Sequence, residues 1–143
     1  MNNSRAPITQ FLQAYKTAVY RKDLDAFLAL YDEQIHVFDM WEAWDGKGIT
    51  PWRASTQQWF SSLGDESVMV DIDEVQGYST ADFAGGHAFL TFTAVSKEGV
   101  KLRSLTNRIT ILLKNIGGVW KAVHQHTSAP VDFSTMKVQL HKA

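Results

Sequence analysis

The feature that most constrains the fold is a change of period near the middle of the chain. Up to Gly64 the apolar residues recur at three- and four-residue steps, and from Ser67 onward they alternate. The first regime calls for helices with one buried face, the second for strands with two unlike faces. Ile8, Phe11, Leu12, Tyr15 and Val19 mark a helix from Pro7 to about Arg21, and Pro7 suits its first turn. Asp23 is placed to cap a second helix, LDAFLALYDE, whose stripe is Leu24, Phe27, Leu28 and Tyr31. A short strand, QIHVFDMW, and the turn WDGKG lead to a third helix. There Thr50 is read as the cap, Pro51 as the first helical residue, and Trp52, Trp59, Phe60 and Leu63 as one face, with Gly64 ending the run. Four strand segments follow, SVMVDIDEVQGY, GGHAFLTFTAV, VKLRSLTNRITILLK and GVWKAVHQHTS, separated by the turn signals YSTADFAGG, KEG and NIGG.

Three helices before a long antiparallel meander is an α+β plan, with the helices packed across one face of a strongly curved sheet that encloses a cavity. The other face of the sheet must be solvated or pair with a second subunit, and Ile109, Ile111 and Leu113 are read as favouring pairing. A chain of 143 residues fits one domain, 1–143, with a core over about 8–133 and a polar tail over 134–143 that is expected to pack loosely. Fourteen basic and fifteen acidic side chains leave a net charge of -1 with no block of one sign, which removes the footprint of a nucleic-acid or anionic-membrane binder. The absence of Cys excludes disulfides, thiolate chemistry and Cys-rich zinc sites. No apolar run approaches the ~20 residues of a membrane span and the start carries no leader pattern, so a cytoplasmic protein is expected.

The order of DLDAFLALYDEQIHVFD, the Trp-rich turn WEAWDGKG and the closing GGVWKAVHQHTSAPVDF resembles the nuclear transport factor 2-like superfamily. Within it the chain is similar to the SnoaL-like and ketosteroid-isomerase-homologue branches, and also to the association domain of calcium/calmodulin-dependent kinase II. The resemblance covers about Ile8 to Phe133. It implies a cystatin-like cone, three helices on a bent, mixed-edge sheet around a cavity, and a dimer formed through that sheet. It leaves activity open, since the superfamily holds isomerases, cyclases, dehydratases, transport factors and assembly hubs.

In ketosteroid isomerases a tyrosine on the first helix and an aspartate ending the first strand face the cone, and a gap-free comparison puts Tyr15 and Asp39 at those positions. The residues agree on their own terms: Tyr15 lies on the buried helix stripe, and Asp39 shares a strand face with Ile35 and Val37. Burial raises the pKa of an acid toward the range useful in proton transfer. Asp39 is therefore either a general base acting on a carbonyl compound or a turn cap or ion-pair member. The isomerases' third element, a protonated acid, falls at Thr110, where no carboxylate is available. The resemblance turns Arg108 and Thr110 toward the cavity, where Arg108 is a ligand anchor or a partner of Asp39. It also turns His87 and Thr91 inward and sets Trp41, Trp44 and Trp52 at the mouth.

His124 and His126 share one strand face. Two histidines supply half a zinc site, but no third ligand or H-E-x-x-H pattern accompanies them, so no metal is expected. By the resemblance Val123, Gln125 and Thr127 face the cavity, and His124 and His126 become dimer-contact candidates beside Ile109 and Ile111. The reading is thus a homodimeric, cofactor-independent enzyme of proton-transfer type, with Asp39 and Tyr15 catalytic. Arg108, Thr110, Thr91, Gln125, Thr127, Trp44, Trp52 and His87 would contact the ligand. The alternative is a non-catalytic ligand-binding or assembly domain.

Overall fold

The computed structural model describes residues 3–142. In chain order it contains α1 (Ala6–Arg21), α2 (Leu24–Leu28), β1 (Tyr31–Phe38), β2 (Gly46–Lys47), α3 (Ile49–Ser62), β3 (Ser67–Ser79), β4 (Phe83–Val95), β5 (Lys101–Ile116) and β6 (Val119–Ser128). The strands form one curved sheet in the order β2-β1-β6-β5-β4-β3. Every pairing is antiparallel except β1 with β6, which is parallel. The helices lie on the concave side, α1 mainly against β3.

Helix α1 forms where the apolar stripe demands it, burying Ile8, Phe11, Leu12, Tyr15, Ala18 and Val19. It stops at Lys22, a left-handed residue (φ 52°) whose N–H returns to the Ala18 and Val19 carbonyls. The Lys22 ammonium then reaches the carbonyls of Gly64 and Glu66, both at 2.7 Å, tying the exit of α1 to the exit of α3. Asp23 caps α2 as expected, accepting from the Ala26 N–H at 3.0 Å.

That helix is shorter than its sequence pattern, five residues rather than ten. Tyr31 belongs to β1, because there its ring meets Phe27 at 5.2 Å, Phe11 at 5.7 Å and Trp52 at 5.6 Å, and its hydroxyl donates to Gln125 Oε1 at 2.6 Å. Tertiary burial of an aromatic with a satisfied hydroxyl outweighs a few tenths of a kcal/mol of helix propensity per residue. Thr50 is likewise not the cap of α3; Gly48 holds that position with φ 88° and no side-chain bond is made there.

On β4, Gly86 lies where α1 presses on the sheet. A Cβ there would overlap the Gln76 carbonyl oxygen and stand 2.8 Å from Ile8 Cγ1. The residue is glycine because the helix occupies the space a side chain would need.

The interior of the sheet is lined by Ile35, Val37, Val68, Val70, Leu90, Ile109, Ile111, Leu113 and Ala122. This corrects two expectations. Ile109 and Ile111, read as dimer contacts, are 1% and 0% exposed in the core. Arg108 and Thr110, read as cavity residues, are exposed on the outer face. The ladder settles both, since Ile109 stands opposite Thr127 and Ile111 opposite Gln125, and directly paired residues share a face. Val123 is also displaced: the pairing skips between Leu112 and Leu113, so Ala122 takes the inward place and Val123 is only half-buried.

The segment after β6 is mostly exposed, Phe133 at 92% and Met136 at 73%, but it is tied down by hydrogen bonds. Val131 bridges Val138, the Asp132 carboxylate accepts from the Ser134 and Thr135 amides, and Gln139 N–H returns to Pro130 O. The chain then crosses the free edge of β5, where Thr106 N–H donates to Leu140 O at 2.7 Å. Beyond it Lys142 pairs with Glu74 at 2.8 Å and sits 4.2 Å from the centre of the Phe89 ring.

Candidate functional site

The helices and sheet enclose a cavity of about 450 Å³. Its walls are mainly Phe27, Trp52, Trp59, Leu63, Val68, Phe92 and Leu105, with Trp41, Arg103 and Leu140 also lining it. The polar groups inside are Tyr15, Asp39, Asn107, Gln125 and Thr127, with Ser55, Thr56 and Ser104.

Asp39 follows the last residue of β1 and continues the inward parity of Ile35 and Val37. Its Oδ1 accepts from the Thr127 hydroxyl at 2.9 Å. The Thr127 oxygen itself accepts from the Met40 N–H at 3.0 Å, so that backbone donor orients the hydroxyl proton toward Asp39. Burial raises the Asp39 pKa above its ordinary carboxylate value, and the bonds from Thr127 and Met40 work against that rise. Among the described residues Asp39 makes no salt bridge. Arg108 is not its partner: its Nε donates to Ser128 Oγ at 3.0 Å on the outer face.

Tyr15 is 5% exposed, packed at 5.2 Å from the Phe27 ring and edge-on to Phe92 at 6.5 Å. Burial first, and then the negative charge of Asp39, push its pKa well above the ordinary phenol range, so it is a permanent donor. Tyr31 is raised in the same way, chiefly by burial, and its bond to Gln125 fixes the amide on the cavity wall.

Among the described residues two buried polar atoms on this wall have no hydrogen-bond partner, Trp52 Nε1 and Asn107 Oδ1. The indole N–H lies near enough to the Tyr31 hydroxyl to favour its ionised form, without meeting the geometry of a hydrogen bond. The Asn107 amide donates only to Met40 Sδ, at 3.6 Å. A second, more open groove of about 710 Å³ runs outside, between residues 40–45 and the 131–138 turn, and it too reaches Asp39 and Thr127.

The cavity therefore gathers Tyr15, Asp39, Trp52, Gln125 and Thr127 from the sequence-predicted set. Trp44 is 96% exposed and lines the outer groove instead. His87, Thr91, Arg108 and Thr110 point outward, with Thr91 bonded to Thr106 at 2.9 Å. Asn107, Arg103 and Leu140 went unrecognised in the sequence. For Asn107 the signal existed: it continues the row Leu105, Ile109, Ile111 and Leu113 on one strand face.

His124 and His126 lie on the outer face, next to Phe38 at 4.8 and 5.5 Å between ring centres. His124 Nδ1 donates to the His36 carbonyl at 2.8 Å, and His36 pairs with Asp45 at 2.6 Å. That imidazole draws the Asp45 pKa below its ordinary value. Among the described residues no group of three or more His, Asp or Glu is placed to hold a metal ion.

Helices on the concave side of a bent mixed sheet, around an acid-bearing cavity, define a cystatin-like, nuclear transport factor 2-like fold. Residues 8–132 match the SnoaL-like domain model, and the chain belongs to the SnoaL-like family. An NTF2-like protein of unknown function from Pseudomonas putida KT2440 superposes with a TM-score of 0.85 at 22% identity, over 97% of this chain and 95% of that one. A putative calcium/calmodulin-dependent protein kinase II association domain from Xanthomonas campestris gives 0.72 at 15% identity, covering 86% and 85%. A putative aromatic ring hydroxylase from Novosphingobium aromaticivorans gives 0.66 at 20% identity, covering 87% of each chain. No curated protein sequence matches the chain. At these identities the superpositions establish the fold and not an activity. No helix among the described residues is long and apolar enough to cross a membrane.

Proposed function

We propose that the protein is a small-molecule enzyme that moves a proton on an apolar carbonyl compound held in the cone, of isomerase, cyclase or dehydratase type. Asp39 removes the proton, and Tyr15 donates a hydrogen bond to the oxygen that gains negative charge. The observation that carries this reading is an Asp39 carboxylate at an apolar cavity with no cation beside it and a raised pKa. Burial moves such a carboxylate upward, in the direction that strengthens it as a proton acceptor. Thr127 holds the carboxylate in one rotamer, and the outer groove gives it a second path to solvent for the abstracted proton. Tyr15 stays protonated throughout, so it serves as a donor to an oxyanion and not as a base. The chemistry needs no cofactor, since enolisation requires only a base and a preorganised donor.

The homodimer belongs to the same proposal, formed through the outer sheet face around Leu112, Phe38, His124 and His126, where Leu112 is 46% and Phe38 37% exposed. The assembly-domain alternative keeps the fold similarity but loses the pocket arginine that the resemblance assigned to Arg108.

The test is α-proton exchange. Acetonaphthone is incubated with the protein in deuterium oxide and label uptake followed by mass spectrometry. Asp39→Asn is expected to lower the catalysed rate by about 100-fold or more. Equal exchange by wild type and Asp39→Asn would refute the base role.

A further inference from the structure

Asn107 is a cavity-wall residue to which the proposed reaction gives no part. It is an amide between Leu105 and Ile109, Ile111 and Leu113 on one strand face, opposite the fully buried Leu90 on β4. Only 6% of Asn107 is exposed, yet among the described residues Oδ1 has no partner and Nδ2 meets only a sulfur. Thioether sulfur is a weak acceptor, so the amide turns about its last side-chain bond with little loss. A leucine there would continue the apolar row without leaving an acceptor unpaired. Buried polar atoms left unpaired in a native wall call for a specific cause, and here the side chain borders a cavity rather than closed core.

The charges around the cavity restrict what could supply the missing donor. Arg103 is the one cation on its lining among the described residues, and its guanidinium is exposed and held by Glu66 at 2.7 Å. Nothing deeper neutralises an anion. A volume of about 450 Å³ equals the liquid volume of roughly fifteen waters, enough for a two-ring compound.

We infer that Asn107 reads a hydroxyl group on the ligand: the cone takes a neutral, flat carbonyl compound that also carries an O–H, which donates to Asn107 Oδ1 while the carbonyl lies toward Tyr15. This rests on the proposed small-molecule reading of the cone and names the class of compound it takes. Asn107 is in these terms a specificity residue; Asp39 and Tyr15 face the reacting carbon and oxygen.

The experiment compares binding of acetonaphthone and its ring-hydroxylated analogue to wild type and Asn107→Leu, by tryptophan fluorescence and calorimetry. Wild type is expected to prefer the hydroxylated compound by on the order of 10- to 100-fold, the range for a buried acceptor gaining a donor. Asn107→Leu is expected to lose that preference while melting at or above the wild-type temperature, because it removes an unpaired acceptor. Asn107→Ala carries the same comparison if leucine overfills the wall. The same preference in wild type and variants, no binding of either compound to wild type, or a lowered melting temperature in both variants overturns the inference, the last by making Asn107 structural. Asp39→Asn separates the two proposals. If it abolishes exchange and keeps the preference, both stand. If exchange in wild type is intact and the preference absent, only the recognition by Asn107 falls.

Discussion

The bond between Tyr31 and Gln125 is the buried polar contact whose removal can be worked through most fully. Both partners are buried, Tyr31 at 3% and Gln125 at 1% exposed, and the hydroxyl donates at 2.6 Å. Tyr31→Phe keeps the ring against Phe11, Phe27 and Trp52 and removes only the hydroxyl, leaving Gln125 Oε1 without a donor. An orphaned buried acceptor costs about 1–3 kcal/mol. With an unfolding entropy of about 2.1 cal/mol/K per residue, a chain of this length shifts its melting temperature by roughly 3 °C per kcal/mol. Tyr31→Phe is therefore expected to melt about 3–10 °C lower. Gln125→Leu orphans the hydroxyl instead and loses a similar amount, whereas Tyr31→Phe with Gln125→Leu removes both polar groups and returns most of the loss. Differential scanning calorimetry on the four proteins closes the cycle. Additive losses in the double variant would refute the reasoning, since they would mean that the two groups do not depend on each other.

Three further outcomes are expected. Asp39 has a raised pKa in the fold, so between its ordinary value of 3.8 and the raised one the folded chain binds more protons than the unfolded chain. Its contribution to stability is present at low pH, is lost as pH rises through that window, and stays lost above it. The melting temperature of wild type relative to Asp39→Asn should fall across that window; a pH-independent difference would contradict the assignment. Truncation after Gln139 removes Leu140 from the cavity lining together with the bond to Thr106 and the Lys142–Glu74 pair. Stopped-flow release of acetonaphthone should then quicken about 3- to 30-fold, the equivalent of partly uncovering one leucine, and an unchanged rate would remove the segment from the site. Leu112→Arg, at a half-exposed position on the outer face, should leave the fold intact and convert dimer to monomer in sedimentation velocity. A monomeric wild type would end the dimer proposal.

The sequence made the helices legible through their apolar stripes, and it oriented Tyr15 and Asp39 because each sits on a periodic face of its own element. It failed on β5, for an instructive reason. Ile109, Ile111 and Leu113 alternate with Arg108, Thr110 and Leu112, and the apolar set is the one that belongs inside. The family comparison put the arginine inside, and following it meant giving paired residues of β5 and β6 opposite faces, which a ladder does not permit. Trp44 failed differently: nothing local distinguishes an exposed indole from one closing a cavity, because that depends on how residues 40–45 turn. The last residues are exposed, and their anchors, Thr106, Glu74 and Phe89, lie too far away in sequence to be read locally. Asn107 needed both the correct register and the identity of its neighbours across the cavity.

Ile8 rests in the space that Gly86 leaves open, and Tyr15 follows it seven residues later on the same stripe of α1, about 10 Å along the axis. A side chain added at Gly86 acts as a wedge under one end of a rigid lever whose far end carries the phenol. The aim of that hydroxyl is thus set by an atom that is missing from another strand. Under the proposed reading, variation that alters ligand choice or rate can arise there, at a residue that does not line the cavity.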